Sequence, residues 1–243
     1  MTFVFTSDVD FVSDDIVEFA YKSFESLPLT VFITGKSKYL SKAFTQNPLW
    51  EVEPHPNFCC GSTHGNSQRE IFETINKFPC ERHGVRCHRY YSSNDIEEEF
   101  ARLGYGYLSN ICTDIQEVKP FWTRCGMLQI PIYFEDGGYL KYHGIPKLFD
   151  IVGNMQNDGV YVFNFHPIHI ALNSCDFTAS RQLKDSIPPS EFSRLTMADV
   201  YPYRNKEYGI ADFLDELIDY AHKHNIKLIN LRQYYEECKS NRI

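Results

Sequence analysis

The stretch that decides the fold is Phe3-Val4-Phe5-Thr6-Ser7-Asp8-Val9-Asp10, an apolar run that ends in two carboxylates. Its apolar residues predict a short buried strand. Ser13 follows as a helix-capping residue, and the apolar residues between 16 and 24 recur at helical spacing. We therefore expect a first strand–helix unit, with Asp8 and Asp10 on one face at the carboxyl end of its strand.

The rest of the chain repeats this alternation of strand and helix. Further strands are predicted at 29–34, 50–54, 85–90, 107–112, 128–134, 160–165 and 227–231. Helix-capping patterns at Ser67 and Asn94 help to locate the helices between them. Alternation with short connections predicts parallel strands joined by helical crossovers.

This pattern predicts an α/β fold, a single distorted (β/α) barrel of seven or eight units. The barrel would span residues 1–243 as one domain, with an irregular excursion at about 173–210 that includes Pro188-Pro189. A doubly wound open sheet is the alternative, although no glycine-rich phosphate loop follows the first strand.

Composition excludes several classes of protein. The 243 residues are 43% hydrophobic and 23% charged, which is typical of a globular domain and not of a disordered or coiled-coil chain. A net charge of −8 disfavours nucleic acid as a partner. No apolar run approaches about 18 residues, and the N-terminus lacks a basic region and a cleavage site. We expect a cytoplasmic protein without membrane insertion, whose eight cysteines are reduced.

Polar side chains gather where the predicted strands end. Seven of the nine histidines lie between positions 55 and 169, mostly at these junctions. The clusters are Asp8-Val9-Asp10, His55 to His64, Arg86-Cys87-His88-Arg89, Glu135-Asp136 and His166-Pro167-Ile168-His169. Carboxylates and imidazoles that meet at one edge of a sheet form sites for a divalent metal that activates water. The pattern therefore predicts a hydrolytic metal centre.

These residues also resemble the polysaccharide deacetylases that share the NodB-homology domain, carbohydrate esterase family 4. The similar motifs are Ser7-Asp8-Val9-Asp10, Leu29 to Gly35, Glu53-Pro54-His55 continuing to His64, Gly84-Val85-Arg86 and Asn164-Phe165-His166-Pro167. The resemblance covers roughly residues 3–231 in the family's order. It is closest to the WbmS-like branch, which is associated with surface-polysaccharide clusters.

The resemblance implies a divalent metal ion bound by Asp10, His55 and His64. Zinc is the first choice, and iron, manganese, cobalt and nickel stay open. The family usually places its two histidine ligands one helical turn apart, whereas eight residues separate His55 from His64 here. Cys59 therefore remains an alternative third ligand, and a thiolate would favour zinc.

The resemblance also implies the catalytic groups. Asp8 would be the general base, held ionised by Arg86, and His166 the general acid, oriented by Asp136. His169 remains an alternative acid. Gly137-Gly138 stands where the family usually has an aromatic residue.

The predicted function is metal-dependent removal of an N-acetyl group from a sugar during surface-polysaccharide biosynthesis. This reaction would make the protein an amidohydrolase acting on C–N bonds other than peptide bonds. We expect the substrate to be an acetylated sugar, such as a nucleotide-linked or lipid-linked one. The alternatives are a cyclic-imide or formamide hydrolase on the same barrel, and a non-catalytic carbohydrate-binding barrel.

Overall fold

The computed structural model describes residues 1–10, 12–156, 158–187, 191 and 193–242. The strands among these residues are β1 (Thr2–Val9), β2 (Leu29–Ile33), β3 (Trp50–Pro54), β4 (Gly84–Val85), β5 (Tyr107–Leu108), β6 (Phe121–Trp122), β7 (Leu128–Gln129), β8 (Phe134–Glu135), β9 (Val160–Phe165) and β10 (Lys227–Leu228). The α-helices are α1 (Asp14–Ala20), α2 (Lys38–Gln46), α3 (Gln68–Ile75), α4 (Asn94–Arg102), α5 (Asp136–Tyr142), α6 (Leu148–Val152), α7 (Pro167–Leu172), α8 (Thr178–Ser186), α9 (Met197–Val200), α10 (Ile210–Lys223) and α11 (Leu231–Ser240). Short 3₁₀ helices lie at Tyr21–Phe24, His88–Tyr90 and Tyr201–Tyr203.

Strand β1 lies at the centre of the larger sheet. This sheet has the order β3-β2-β1-β9-β8, and β10 also pairs with β1. All of these pairings are parallel. Phe3 and Phe5 of β1 pack against Phe163 of β9 in the main core, with ring centroids 4.8 and 5.9 Å apart. Val4 packs in a second cluster with Tyr107 of the smaller sheet. Since side chains alternate along a strand, Asp8 lies on the Val4 face, toward the smaller sheet.

The smaller sheet has the order β4-β5-β7-β6, and β6 runs antiparallel to β7. It joins the larger sheet through the backbone, where the N–H groups of Arg86 and His88 donate to the carbonyl oxygens of Pro54 and Pro56 at 3.4 and 2.8 Å. The predicted α/β fold with mainly parallel strands is confirmed. In the part of the chain that the structure describes, however, the strands form two sheets and neither closes, so the structure does not establish a barrel.

Five predicted strands are shorter than expected. The strands predicted at 29–34, 107–112 and 227–231 end at Ile33, Leu108 and Leu228, and the other two are shortened for local reasons. The strand predicted at 85–90 stops at Val85, and Arg89 and Tyr90 adopt left-handed backbone conformations with φ of 56° and 58°. The strand predicted at 128–134 is divided into β7 and β8. Pro131 lies between them and has no N–H to donate to a neighbouring strand.

Serine side chains cap the helices around the site. Ser13 and Ser67 accept hydrogen bonds from the backbone N–H groups of Ile16 and Glu70, as their sequence patterns predict. The cap predicted at Asn94 is wrong by one residue, because Ser93 accepts from the N–H of Ile96 and α4 begins after it. Ser93 has the extended backbone that an N-cap requires.

The excursion predicted at 173–210 contains the short helices α8 and α9. Leu183 of α8 packs in a cluster with Ile16 of α1 and Leu172 of α7, so the segment covers these two helices. Pro188-Pro189 lies outside the described residues. No helix in the described ranges has the length and apolar character needed to cross a membrane.

A buried carboxyl group on β3 faces the space between the sheets. Glu53 is fully buried, and its two oxygens accept hydrogen bonds from the backbone N–H groups of Arg82 (2.8 Å) and His83 (2.9 Å). Burial raises the pKa of Glu53 to about 8, although hydrogen bonds with the backbone of His83, the side chain of Glu51 and the backbone of Gly84 act in the opposite direction. Glu53 is therefore mostly protonated in the folded protein at neutral pH.

We predict that Glu53 makes the protein less stable as the pH rises. The pKa of a glutamate in the unfolded chain is about 4.3, whereas the pKa of Glu53 in the folded protein is about 8. The free energy of unfolding should thus fall through this interval, by up to about 1.4 kcal/mol per pH unit. Glu53→Gln cannot titrate and should flatten the profile in urea denaturation. Glu73→Gln, at an exposed position, should leave it unchanged, and equal slopes for wild type and Glu53→Gln would contradict the prediction.

Candidate active site

A buried ion pair between Asp8 and Arg86 forms the base of the site. Arg86 Nη1 lies 2.9 Å from Asp8 Oδ1, and Asn164 Nδ2 donates to Asp8 Oδ2 at 2.9 Å. Arg86 also donates to Ser109 O (3.0 Å), Ser109 Oγ (2.8 Å) and Thr6 Oγ1 (2.9 Å). These bonds hold the Asp8 carboxylate at the end of β1 in one orientation.

The electrostatic surroundings keep Asp8 ionised. Burial alone would raise the pKa of Asp8, but Arg86 and then His55 and His166 outweigh it and hold the pKa below its usual value. The structure thus brings Asp8 and Arg86 together in the way the sequence predicts.

We predict a large loss of stability in Arg86→Met, because this substitution leaves the Asp8 charge buried without its partner. The expected loss is about 3–5 kcal/mol in the free energy of unfolding, measured by urea denaturation. Adding Asp8→Asn should recover part of it, since the buried charge is then absent.

Arg124→Met is the matched control, because Arg124 forms an exposed ion pair with Glu98. It should cost less than about 1 kcal/mol. An Arg86→Met variant as stable as Arg124→Met would show that the buried pair does not hold the fold together.

Beside this pair, Asp10, His55 and His88 converge. Asp10 Oδ1 lies 3.3 Å from His55 Nε2 and 3.0 Å from His88 Nδ1. His55 is buried at the end of β3, while Asp10 and His88 are partly exposed. Burial would raise the pKa of Asp10, but hydrogen bonds from His55 and His88 hold that pKa well below its usual value. The three residues form a carboxylate–imidazole group open to solvent on one side.

The donor set of this group fits a divalent metal ion. One ligand atom from each of Asp10, His55 and His88 lies within 4.8 Å of the others. Neighbouring ligands of a tetrahedral zinc ion, with bonds of about 2.0–2.1 Å, stand roughly 3.3 Å apart, close to the separations observed here. One carboxylate and two imidazoles also leave positions open for water and substrate.

His64, expected as the third ligand, does not join this group. Its Nδ1 accepts the backbone N–H of Asn57 at 3.0 Å, and its Nε2 lies 2.8 Å from the carbonyl oxygen of Thr34. In the tautomer that satisfies both contacts, Nε2 carries the proton, so neither nitrogen has a free lone pair for a metal. The position beside Asp10 and His55 that the sequence analysis expected His64 to occupy is taken by His88. His64 instead ties the loop after β3 to the end of β2.

The spacing along the chain explains why His88 takes this place. Residue 88 follows Arg86 by two positions, so both side chains point to the same side of an extended segment, as those of Asp8 and Asp10 do. This spacing is the sequence signal that could have identified His88. Cys59, the alternative third ligand, contacts the backbone carbonyl of His88 at 4.0 Å and is not part of the group.

His166 lies at the end of β9 and is held by carboxylates. Its Nδ1 lies 2.6 Å from Asp136 Oδ1 and 3.3 Å from Glu135 Oε1, and its backbone N–H donates to Asp136 Oδ2 at 2.7 Å. Its Nε2 lies 3.6 Å from Asp10 Oδ2. Burial would lower the pKa of His166, but Asp136, Glu135 and Asp10 raise it well above its usual value. These carboxylates therefore favour the protonated form of His166, whose Nε2 faces the Asp10 group.

Glu135, to which the sequence analysis assigned no role of its own, contacts His166 and lines the same cavity. Its side chain caps α5, where the N–H groups of Gly137 and Gly138 donate to its two oxygens at 2.9 and 2.6 Å. A Cβ atom at position 138 would lie 2.6 Å from Glu135 Oε2. This contact explains why glycine, and no aromatic residue, occupies the position.

His169, the alternative acid, lies next to His166, with ring centroids 5.9 Å apart. Its Nδ1 lies 3.0 Å from Ser174 Oγ. It lines the same cavity as His166, but its Nδ1 faces the Ser174 hydroxyl, whereas Nδ1 of His166 faces the Asp136 carboxylate. The arrangement therefore favours His166 as the proton donor.

The fold and the site together define an α/β protein with a hydrolase-like centre at the carboxyl ends of parallel strands. Residues 5–184 match the family description "WbmS-like: Polysaccharide deacetylase". The chain belongs to this family of polysaccharide deacetylases.

Two solved structures share the fold. One is a proposed polysaccharide deacetylase, WbmS, from Bordetella bronchiseptica, described as involved in O-antigen biosynthesis. It is 24% identical, with a TM-score of 0.77 over 89% of each chain. The other is a proposed polysaccharide deacetylase from Mycobacterium smegmatis, 12% identical, with a TM-score of 0.52 over 100% of this chain and 91% of that one. No curated protein matches the sequence.

Proposed function

We propose that this protein removes the N-acetyl group from an acetylated sugar by attack of water at a divalent metal ion. The observation that carries the proposal is the convergence of four predicted site residues on one cavity. Asp8, Asp10, His55 and His166 all line an open cavity of about 320 Å³. Family membership supports the same reaction.

Asp10, His55 and His88 would hold the ion, with zinc as the first choice. When bound, such an ion lowers the pKa of a water ligand and polarises the acetamide carbonyl. Asp8 lies next to these ligands, with Oδ2 4.0 Å from His55 Nε2. Because Arg86 keeps it ionised and Asn164 orients it, Asp8 can accept the proton that the attacking water loses.

His166 would complete the reaction. As the water oxygen bonds to the carbonyl carbon and the C–N bond breaks, the departing nitrogen needs a proton. His166 carries one at Nε2, and Asp136 fixes the ring through Nδ1. Asp8 takes one proton and His166 delivers one, so the products are acetate and the free amine.

A second cavity supports a carbohydrate substrate larger than one ring. Its volume is about 500 Å³, and it shares Tyr90, Glu135, Gly138 and Tyr142 with the first cavity. Tyrosine side chains present a flat apolar face together with a hydroxyl group, which suits sugar rings. Tyr142 is 73% exposed and available for such stacking.

The proposal includes the finer features that the sequence predicts. We propose that residues 1–243 form a single domain whose architecture is a distorted (β/α) barrel. We also retain a cytoplasmic substrate, a nucleotide-linked or lipid-linked acetylated sugar used for surface-polysaccharide biosynthesis.

We predict that Asp8→Asn and His166→Gln each lower the rate of acetate release, by between about a hundredfold and ten-thousandfold. The rates are measured by mass spectrometry on a panel of N-acetylated sugars with added zinc, manganese, cobalt or nickel. Asp219→Asn and His222→Gln, at exposed positions of α10, are the matched controls and should keep the wild-type rate. Wild-type protein that releases acetate from no sugar but hydrolyses cyclic imides or formamides would overturn the proposal.

We predict that zinc binding distinguishes His88 from His64. His88→Gln should lower the zinc content after dialysis against zinc, measured by mass spectrometry, because it removes one of three proposed ligands. His64→Gln should retain zinc and lose thermal stability instead, because the ring of His64 holds the backbone of Asn57 and Thr34. Loss of zinc from His64→Gln with full retention in His88→Gln would refute this assignment.

A further inference from the structure

Two cationic side chains line the site cavity without a carboxylate partner. Arg89 belongs to the 3₁₀ turn His88–Tyr90, and Lys141 belongs to helix α5. Both are exposed, and neither forms an ion pair with a carboxylate of the described chain. No role in the proposed reaction uses them.

The other charges of the cavity are already compensated. Asp8 is paired with Arg86, and His166 lies between Asp136 and Glu135. Asp10 contacts the imidazoles of His55 and His88 at 3.3 and 3.0 Å, in the metal-free protein as well. The positive charges of Arg89 and Lys141 therefore remain available to a ligand.

The backbone at Arg89 is strained, and the fold keeps it so. Arg89 (φ 56°, ψ 25°) and Tyr90 (φ 58°) are successive non-glycine residues in the left-handed region. Such a conformation is unfavourable for any residue with a Cβ atom, because Cβ comes too close to the following carbonyl oxygen. It turns the chain sharply after the proposed ligand His88 and leaves Arg89 and Tyr90 both lining the cavity. Strain of this kind concentrates where chains contact ligands.

We propose that the acetylated sugar is anionic and that Arg89 and Lys141 bind its negative group, a phosphate or a carboxylate. This inference rests on the proposed function and names its substrate class. Arginine offers a planar fork of N–H donors that matches the oxygens of either anion, and lysine adds a point charge. Lys141 Nζ lies 4.8 Å from the ring centroid of Tyr142, so a neutral glycan would leave that cation with an aromatic face but neither cation with an anion.

The test measures binding to the metal-free protein by isothermal titration calorimetry, so it does not depend on turnover. Three probes are compared: the neutral methyl glycoside of N-acetylglucosamine, N-acetylglucosamine 1-phosphate, and the methyl glycoside of N-acetylglucosaminuronic acid. At least one anionic probe should bind about tenfold more tightly than the neutral glycoside. Preference for the phosphate probe identifies a phosphorylated or nucleotide-linked substrate, and preference for the carboxylate probe identifies a uronic acid.

Substitutions locate the binding groups. Arg89→Gln and Lys141→Gln should each lower the preference for the anionic probe several-fold, whereas Lys206→Gln, an exposed position outside the cavity, should leave it unchanged. Arg89→Gly removes the same charge and also relieves the left-handed strain, so it separates loss of the anion site from misfolding.

The inference is overturned if neither anionic probe binds more tightly than the neutral glycoside. It is also overturned if the preference survives both Arg89→Gly and Lys141→Gln. Acetate release, assayed separately, decides the proposed function. Release from neutral sugars without anion preference would sink this inference alone, and anion preference without any hydrolysis would sink the proposed reaction alone.

Discussion

The site depends on one buried ion pair, that of Asp8 and Arg86. A guanidinium group removed from water requires a carboxylate and further acceptors, and Arg86 finds them on strands and strand ends of both sheets. Its flat face also lies 4.3 Å from the ring centroid of Phe32 on β2. The pair thus fixes the distance between the two sheets at the level of the site. The residues two positions further along each segment, Asp10 and His88, are brought together as a consequence.

The alternation of side chains along the strands decides which polar groups meet at the carboxyl ends of β1 and β9. Thr6, Asp8 and Asp10 share one face of β1 and its extension, and Asn164 and His166 share one face at the end of β9. In each segment one residue holds its neighbours and the residue two positions later faces the cavity. Asp8 precedes Asp10 in this way, and Asn164 precedes His166. The result is a carboxylate kept ionised next to an imidazole kept protonated, which is the pairing that hydrolysis of an amide requires. The backbone N–H groups of Gly137 and Gly138 hold the Glu135 carboxylate, which thereby becomes a second carboxylate beside the His166 imidazole.

Much of the fold and several site contacts could be predicted from local patterns. The predicted bounds of β3 and β9 coincide with the structure, and Ser13 and Ser67 cap their helices as expected. The contacts of Asp8 with Arg86 and of His166 with Asp136 are also as predicted. Errors arose where backbone conformation departs from the regular pattern. Helix α7, which begins at Pro167 directly after β9, and helix α5 were not predicted, because each is short and follows a strand without a connecting loop.

The amino-acid sequence by itself determined the order of strands and helices, the polar residues at the strand ends, and membership of the deacetylase family, because periodicity and short motifs are local properties. Only the tertiary structure decided that His88, and not His64, lies beside Asp10. The partner of an imidazole depends on the path of the loop that carries it, and in this loop His64 faces the backbone of Asn57 and Thr34. The same holds for Arg89 and Lys141, which are far apart in the chain and line one cavity only because the segments that follow β4 of the smaller sheet and β8 of the larger sheet meet there.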